Sequence, residues 1–398
     1  MLKTITCLVL LSIVIPVRAE TSPPPAPVQT AAPAQPLPAP APVVPAPPAV
    51  NGKAWLLVDF HSGQVLAENN ADQRLEPASL TKMMTIYSVA RVIGEGKVKL
   101  SDQVPISEKA WKMGGSRMFV EVGNRVLLED LMKGDIVQSG NDASVALAEY
   151  ISGSEEVFAA QMSQNAAQIG MNNTNFVNST GLPDANHYTT ARDLATLAVA
   201  LIRDYPEIYK WFSLREFTYN GITQPNRNKL LARDSSVDGI KTGYHEAAGY
   251  CLAASAERDG MRLVAVVLGS QNEQARADAA QALLGYGFRF YETRKFYGNG
   301  QPVHQLKVWK GIRQQVDLVV TGGDIQITIP RGQVDRVQAE VETAGDLEAP
   351  VASGEERGRL KISYDGKPLA SRPLATGQAV PAAGIVGRSV DTVKRWFE

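Results

Sequence analysis

Three short motifs constrain this chain more than any other feature, because together they supply one chemical site. Ser-x-x-Lys occupies residues 79–82, Ser-x-Asn residues 139–141 and Lys-Thr-Gly residues 241–243. A nucleophilic hydroxyl, two ammonium groups, a second hydroxyl and an amide are the parts of a serine acyl-transfer site in which lysine acts as the base. The fold must therefore bring together three segments that lie far apart in the sequence.

Local sequence places the first motif at the start of a helix. Residues 77–79 precede an apolar pattern of helical period over residues 83–93, which glycine ends. The i, i+3 spacing puts Ser79 and Lys82 on one helix face, where the helix dipole favours an alkoxide and a neutral amine. Burial or another cation must lower the pKa of such a lysine, and Lys241 is the obvious cation. Taken alone, the motif equally describes a first helical turn with a solvated lysine.

The third motif lies on a predicted strand. Residues 237–268 contain three apolar runs separated by glycine-containing turns, which predicts antiparallel strands. Gly243 allows a ligand to approach the backbone closely. Lys241 and Thr242 suit a carboxylate, because one brings charge and the other a hydroxyl donor. The alternative for Lys241 is an exposed lysine on a strand.

These motifs and their surroundings resemble the D-alanyl-D-alanine carboxypeptidases, which are low-molecular-mass penicillin-binding proteins. The segments that carry the resemblance are residues 76–85, 138–143, 178–183, 190–194, 237–243 and 287–293. The resemblance is continuous over about residues 51–293 and looser beyond them. It implies the penicillin-binding protein/β-lactamase-like transpeptidase fold.

The resemblance also implies catalytic roles for four residues. Ser79 corresponds to the acylated nucleophile and Lys82 to its base. Ser139 corresponds to the residue that relays a proton toward the leaving amine, and Asn141 to the residue that holds the base and the substrate amide.

The same resemblance implies a binding site for the terminal carboxylate of D-Ala-D-Ala or of penicillin. Its residues in this chain are Lys241, Thr242, Gly243 and Arg276. The resemblance also implies that the backbone N–H groups of Ser79 and Tyr244 form the oxyanion hole. Only the backbone role is assigned to Tyr244, since close relatives often have histidine there.

The sequence therefore predicts an exported serine D-Ala-D-Ala carboxypeptidase that trims peptidoglycan pentapeptides and is inhibited by β-lactam antibiotics. A D,D-endopeptidase that cuts cross-links with the same residues is the main alternative. A β-lactamase is disfavoured, because the second motif is Ser-Gly-Asn and no Glu-x-x-Leu-Asn lies between Ser139 and Lys241. A non-catalytic wall-binding protein with a decayed site is disfavoured by the intact motifs.

Other classes of function find little support in the sequence. The four histidines are scattered, and neither His-Glu-x-x-His nor Cys-x-x-Cys occurs, so no metal and no cofactor are expected. The formal net charge is −1 and no basic stripe is present, which argues against nucleic acid as a partner.

The N-terminal segments predict export to the periplasm. Residues 1–19 have the basic start, apolar run and small-residue cleavage site of a secretory signal peptide. Residues 20–52 are rich in proline and alanine, which predicts an extended polyproline-II linker, either a tether or a tolerated tail. Cys251 is the only cysteine after residue 19, so an intramolecular disulfide is not expected.

The sequence pattern of the remaining chain predicts two domains, an α+β catalytic domain at residues 53–293 and a small all-β domain at residues 296–378. The first begins with a β-hairpin and continues with helices at about residues 127–151, 155–169 and 191–202, strands, and a final helix at about 273–286. This order predicts an antiparallel sheet flanked by helices, with a large helical insert. The second domain has short alternating runs that predict strands and, by resemblance, a stalk or partner platform.

Residues 382–398 predict an amphipathic helix on a membrane surface. Val386, Val390, Val393 and Phe397 share one helical face, and charged residues lie off it. This pattern suits the anionic outer face of the cytoplasmic membrane, while the length and the charge exclude a membrane span. The alternative is a short helix packed on the stalk.

Overall fold

The computed structural model describes residues 44–394. The predicted signal peptide, residues 1–19, and linker residues 20–43 lie outside the described residues, as do residues 395–398 at the end of the predicted amphipathic helix.

The helices are α1 (Lys82–Gly94), α2 (Glu108–Trp111), α3 (Leu128–Val137), α4 (Asn141–Ser152), α5 (Glu155–Gln168), α6 (Ala191–Asp204), α7 (Pro206–Tyr209), α8 (Leu230–Arg233), α9 (Glu273–Phe290) and α10 (Ile385–Lys394). The strands up to α9 are β1 (Ala54–Asp59), β2 (Val65–Asn69), β3 (Gln103–Pro105), β4 (Arg125–Leu127), β5 (Glu216–Tyr219), β6 (Ile222–Pro225), β7 (Val237–His245), β8 (Gly249–Arg258) and β9 (Met261–Ser270). The strands after α9 are β10 (Tyr291–Tyr297), β11 (Pro302–Trp309), β12 (Gln315–Val320), β13 (Ile325–Pro330), β14 (Val337–Thr343), β15 (Leu347–Glu348), β16 (Glu356–Tyr364) and β17 (Lys367–Thr376).

A five-stranded antiparallel sheet in the order β2-β1-β9-β8-β7 organises the catalytic part. Helix α6 packs on one face and α9 on the other. Residues 263–268 of β9 are apolar and buried at every position, since alternate side chains enter the two helical layers. The predicted α+β fold, an antiparallel sheet between helices, is confirmed.

The helical insert lies between β2 and β7 and contains the second motif at a break. The prediction of one helix over residues 127–151 is wrong, because α3 ends at Val137 and α4 begins at Asn141. Ser139 has a φ of 64°, a left-handed conformation that a continuing helix cannot include. The apolar period runs through the break and therefore hides it.

The C-terminal strands form the predicted all-β domain. Six of them make a sheet in the order β14-β16-β17-β12-β11-β15, and β10 pairs with β13. Leu318, Ile327 and Ile362 lie in their shared apolar core. Strand β10 follows α9 directly, so β structure begins at Tyr291. This residue lies within residues 53–293, the predicted catalytic domain. The boundaries at 53–293 and 296–378 stay predictions.

A polar group of four side chains, which we term the junction cluster, joins the catalytic part to the β domain. The Thr293 hydroxyl donates to Asp59 Oδ2 at 2.6 Å, and the Ser62 hydroxyl donates to Asp59 Oδ1 at 2.8 Å. Thr328 Oγ1 lies 2.6 Å from Ser62 Oγ and 3.0 Å from Thr293 Oγ1. Asp59 and Thr328 are fully buried.

Two valines at the end of the predicted linker contact the core, while Pro45, Ala46, Pro47 and Ala49 are exposed. Val44 and Val50 contact the core under α9, and the Tyr286 hydroxyl donates to the carbonyl of Pro45 at 2.9 Å. The linker at residues 20–52 stays a prediction.

Helix α10 is held on the β domain by its polar side. Buried Asp391 accepts a hydrogen bond from the backbone N–H of Lys310 at 2.8 Å. Ile385, Val386, Val390 and Val393 are exposed. No helix in residues 44–394 is both long enough and apolar enough to cross a membrane.

Candidate active site

Ser79 lies in a short 3₁₀ turn, Ala78–Thr81, that leads directly into α1. Lys82 is the first residue of α1, and its Nζ lies 3.3 Å from Ser79 Oγ. The i, i+3 spacing therefore places the two groups together, as the sequence predicts.

Lys82 is fully buried and held on three sides. Besides Ser79, its ammonium donates to Asn141 Oδ1 at 2.8 Å and to the carbonyl of Thr180 at 2.6 Å. Burial lowers the pKa of Lys82 to about 8, and the positive charge of Arg227 adds to the lowering. The side chain is thus a lysine that can become neutral near physiological pH.

The second motif presents two side chains to the same place. Asn141 begins α4, and its Nδ2 donates to the carbonyl of Gly114 at 2.7 Å, which fixes its amide oxygen toward Lys82. Ser139 is buried in the strained turn before α4, and its Oγ has no hydrogen-bond partner among the described residues. This hydroxyl is available to a substrate.

The third motif approaches Ser79 from β7, the edge strand of the sheet. A Cβ atom on Gly243 would lie 3.0 Å from the carbonyl oxygen of Pro77 and 3.1 Å from the nitrogen of Ser79, so a side chain here would require the neighbouring backbone to shift by a few tenths of an ångström. Lys241 is buried, and burial together with the charge of Lys82 holds the pKa of its ammonium well below the usual range. Both lysines therefore have lowered pKa values.

Arg276 and Tyr244 lie where β7 meets the first turn of α9. Arg276 Nη1 donates to the carbonyl of Gly243 at 3.0 Å, and its Nη2 contacts Glu273 at 3.3 Å. The Tyr244 ring is about half exposed and packs on Tyr250, with 4.2 Å between ring centroids. The arginine is therefore part of the site and not a solvated helix residue.

One cleft of about 810 Å³ unites these groups. The predicted site residues that line it are Ser79, Ser139, Asn141, Thr242, Gly243, Tyr244 and Arg276. Lys82 and Lys241 are buried rather than part of the lining. Within residues 44–394 no group of histidine, cysteine and acidic side chains could hold a metal ion.

Comparisons with known proteins agree with this geometry. The sequence profile described as D-alanyl-D-alanine carboxypeptidase matches residues 41–272, and that of the penicillin-binding protein 5 C-terminal domain matches residues 291–382. The chain belongs to the D-alanyl-D-alanine carboxypeptidase family. Its β domain is of the penicillin-binding protein 5 C-terminal type.

Individual relatives are similar over most of this carboxypeptidase. D-alanyl-D-alanine carboxypeptidase DacC of Escherichia coli K12 is 42% identical over 362 residues, 88% of this chain and 90% of the relative. Penicillin-binding protein 5 of Haemophilus influenzae is 42% identical, with a TM-score of 0.80, over 84% of this chain and 99% of that structure. Penicillin-binding protein D2 of Listeria monocytogenes, solved in its ampicillin-bound form, is 27% identical, with a TM-score of 0.56, over 60% of this chain and 98% of that structure.

Sequence reasoning missed three contributors to the site of this carboxypeptidase. The carbonyl of Thr180 binds Lys82, and a Cβ on the next residue, Gly181, would lie 1.9 Å from the carbonyl oxygen of Ala78. Residues 178–183 carry part of the family resemblance, and Gly181 is the signal within them. Arg227 lines the cleft and Asp135 is buried on α3, but neither has a local sequence signal.

Proposed function

We propose that this enzyme is exported and removes the terminal D-alanine from peptidoglycan pentapeptides through an acyl-enzyme on Ser79. The observation that carries the proposal is the contact at 3.3 Å between the Ser79 hydroxyl and a buried lysine whose pKa is lowered to about 8. A neutral amine at this distance can act as the base.

Acylation then follows from the positions of four groups. Neutral Lys82 takes the Ser79 proton while Oγ attacks the carbonyl carbon of the penultimate D-alanine, and the N–H groups of Ser79 and Tyr244 hold the oxyanion. The proton that Lys82 accepted passes to Ser139 as Ser139 gives its own proton to the leaving nitrogen, the C–N bond breaks, free D-alanine departs and Lys82 is neutral again. Water then attacks the ester with Lys82 as base, which releases the shortened peptide and regenerates the Ser79 hydroxyl.

Lys241, Thr242 and Arg276 bind the terminal carboxylate of the substrate in this proposal. The supporting observations are the buried ammonium, the hydroxyl in the cleft lining and the guanidinium bound to Gly243. A β-lactam carries a carboxylate beside its reactive carbonyl, and the ampicillin-bound relative supports β-lactams as inhibitors.

The products distinguish the candidate activities. We expect purified protein to release free D-alanine from a pentapeptide that ends in D-Ala-D-Ala. Faster cleavage of a cross-linked dimer indicates the D,D-endopeptidase, and repeated turnover of penicillin indicates a β-lactamase. A labelled penicillin should be found on Ser79 by peptide mapping, and label that persists in Ser79→Ala contradicts the assignment.

Substitution of the two lysines separates their proposed roles. Lys82→Arg should lower the acylation rate by about 10²–10⁴-fold, because a guanidinium cannot lose its proton and serve as a base. Lys241→Arg should be milder, since its role needs only a cation. Thermal melting identifies variants that do not fold, and normal acylation by folded Lys82→Arg places the base elsewhere.

We also propose that α10 lies on an anionic membrane surface and that residues 1–19 direct export to the periplasm. Four exposed apolar side chains on one helix support the first point, because the polar side of α10 is already bound to the β domain. Val390→Glu should abolish sedimentation with phosphatidylglycerol vesicles, whereas Thr392→Glu, exposed on the opposite side, should weaken it only slightly. Equal effects of the two variants contradict an apolar contact with the membrane.

The segment roles are part of the same proposal. The β domain is a stalk that joins the catalytic domain to the membrane helix, and the linker begins after cleavage near residue 19. The mass of protein recovered from a periplasmic extract tests the cleavage, and an intact N-terminus there contradicts it.

A further inference from the structure

A buried chain of hydrogen bonds leads from the segment between α5 and α6 to the residue before the nucleophile. The backbone N–H of Val177 donates to His187 Nδ1 at 3.1 Å, and His187 Nε2 lies 2.8 Å from Thr81 Oγ1. The Thr81 hydroxyl donates to the carbonyl of Ala78 at 2.8 Å. His187 and Thr81 are buried, neither lines the cleft, and the mechanism above uses neither.

Each hydrogen bond in this chain runs in one direction. A backbone N–H can only donate, so His187 Nδ1 carries a lone pair. Burial lowers the pKa of His187 to about 4, so near neutral pH the ring is uncharged and its one proton is on Nε2. This N–H therefore donates to Thr81 Oγ1, and the Thr81 proton is left for the carbonyl of Ala78. The Thr81 hydroxyl is thus held at both ends.

The carbonyl of Ala78 and the N–H of Ser79 belong to one peptide unit. The unit is planar, so a contact that fixes the direction of the carbonyl also fixes the direction of the N–H. Ala78 has a φ of 47°, a conformation that the backbone does not favour by itself. The Thr81 hydroxyl therefore holds one end of a peptide whose other end is a proposed oxyanion donor.

Close packing encloses the same peptide at both ends. A Cβ on Gly181 would lie 1.9 Å from the carbonyl oxygen of Ala78, and a Cβ on Gly243 would lie 3.1 Å from the nitrogen of Ser79. The two glycines restrict where the peptide lies. A hydrogen bond depends on direction, so the bond from Thr81 sets how the peptide is rotated.

We propose that His187 and Thr81 are positioning residues for the oxyanion hole, because together they orient the peptide that presents the Ser79 N–H to the cleft. His187 acts only through the Thr81 hydroxyl, and neither side chain touches the substrate. The proposal rests on the role given above to the Ser79 N–H. Loss of the chain should slow bond formation at Ser79 and leave ligand binding unchanged, since the oxyanion exists only along the reaction.

The test is acylation of the full chain by a labelled penicillin, with stopped-flow measurements that separate the acylation rate constant from the dissociation constant of the preceding complex. Thr81→Val removes the hydroxyl and keeps the shape. The rate constant should fall by about 10–10²-fold, less than the 10²–10³-fold for loss of a whole oxyanion donor, with the dissociation constant unchanged. Thr81→Ser keeps a hydroxyl and should recover most of the rate.

Two substitutions of His187 separate its two hydrogen bonds. The amide in His187→Gln reaches the position of Nε2 and can donate to Thr81, so most of the rate should remain. The amide in His187→Asn reaches only the position of Nδ1, so it keeps an acceptor for Val177 and loses the donor to Thr81. Acylation should then slow by about tenfold, the size of one hydrogen bond. Added to Thr81→Val, His187→Asn should slow acylation no further.

The carbonyl stretch of the acyl ester on Ser79 reports the oxyanion hole directly, because donors to the ester oxygen lower its frequency. Infrared difference spectra with a penicillin that is isotope-labelled at its β-lactam carbonyl isolate this band. In Thr81→Val and in His187→Asn the band should move to higher frequency. In Thr81→Ser it should stay in place.

Thr189→Val is the matched control for loss of a buried hydroxyl. Thr189 is fully buried, and its Oγ1 lies 2.7 Å from Thr174 Oγ1. The variant should lower the melting temperature but leave the acylation rate constant and the carbonyl band unchanged. The rate constant is read from the time course of the labelled fraction, so it does not depend on how much protein is folded. If Thr81→Val folds too poorly to label, His187→Asn and His187→Gln decide.

The outcomes are distinct. An unchanged rate constant and band in folded Thr81→Val, or an effect confined to the dissociation constant, overturn the positioning role. Losses that add in the double variant overturn the action of His187 through Thr81. Failure of the proposed function shows separately, as label outside Ser79 or as normal acylation by Lys82→Arg.

Discussion

Two glycines contact the backbone around Ser79 from different segments. A Cβ on Gly181 would lie 1.9 Å from the carbonyl oxygen of Ala78, and one on Gly243 would lie 3.0 Å from that of Pro77. Between these contacts Ala78 has a φ of 47°, a left-handed conformation that costs about 1–3 kcal/mol. Close backbone packing therefore holds Ala78, the residue before the nucleophile, in a conformation that an isolated helix start would not adopt.

Gly243→Ala tests the importance of this approach. The added methyl group should push β7 from Ser79 and displace the N–H of Tyr244, so acylation should slow by about 10²-fold, as for loss of one oxyanion donor. The control is Gly285→Ala, in the middle of α9, where a Cβ meets nothing within 4 Å. It should stabilise the protein by about 1 kcal/mol and leave acylation unchanged. The two measurements are stopped-flow acylation and urea unfolding, and equal acylation rates contradict the steric argument.

Individual residues differ in how far the sequence reveals them. Ser79, Lys82 and Lys241 stand in recognisable spacings, and the structure brings them together. His187 and the carbonyl of Thr180 act through tertiary contacts, and no local pattern marks such a contact. The dominant cause of the lowered pKa of Lys82 is burial. The motif alone allows two causes, burial and a second cation, and does not decide between them.

Several of the functional side chains lie at the ends of helices. Asn272 caps α9 by accepting from the N–H of Ala275 at 2.8 Å, and this cap places Arg276 in the first turn. The start of α9 was predicted correctly at Glu273, because the cap and the helical run are local signals. The break between α3 and α4 was not predicted, since tertiary contacts impose the left-handed turn at Ser139.

Asn272→Ala should combine a loss of stability with a loss of substrate binding. Removal of an N-cap costs about 1 kcal/mol, and a loosened first turn should misplace Arg276 and raise KM by up to about tenfold, which corresponds to about 1.4 kcal/mol. Ser154→Ala removes the cap of α5, where Ser154 accepts from Val157 at 3.3 Å, and should cost similar stability. Thermal melting and steady-state kinetics are the measurements. A KM that rises equally in both variants argues against a local role of the α9 cap.

The junction cluster links the catalytic part of the molecule to the β domain. The sequence predicted both folds, because alternating and helical periods are strong over each. The predicted runs correspond to β11–β14 and β16 and leave out β10, β15 and β17. Strand β10 continues directly from a helix, β15 has only two residues, and two prolines interrupt the pattern of β17. The sequence spacing does not predict that the side chains of four residues are in contact, namely Asp59, Ser62, Thr293 and Thr328.

Thr293→Val tests the junction cluster without touching the cleft. Buried Asp59 loses a donor, so unfolding free energy should fall by about 1–3 kcal/mol while acylation stays the same. Thr223→Val is the matched control, because Thr223 makes a hydroxyl pair at 2.8 Å with Thr218 on an exposed hairpin. Urea unfolding of both variants, followed by tryptophan fluorescence, provides the comparison. An equal, small change in the two speaks against a structural role for the cluster.

The junction cluster also has a geometric consequence for an enzyme that works on an extended, layered substrate. Hydrogen bonds link residues on both sides of the junction, so bending there requires that they break. If α10 lies on the membrane, the β domain holds the cleft at a nearly constant height above the lipid. The cleft then reaches only a thin sheet of the wall as the protein diffuses. Stem peptides outside that sheet then escape trimming whatever their chemistry, and the depth of the trimmed zone is set by the length of a protein domain.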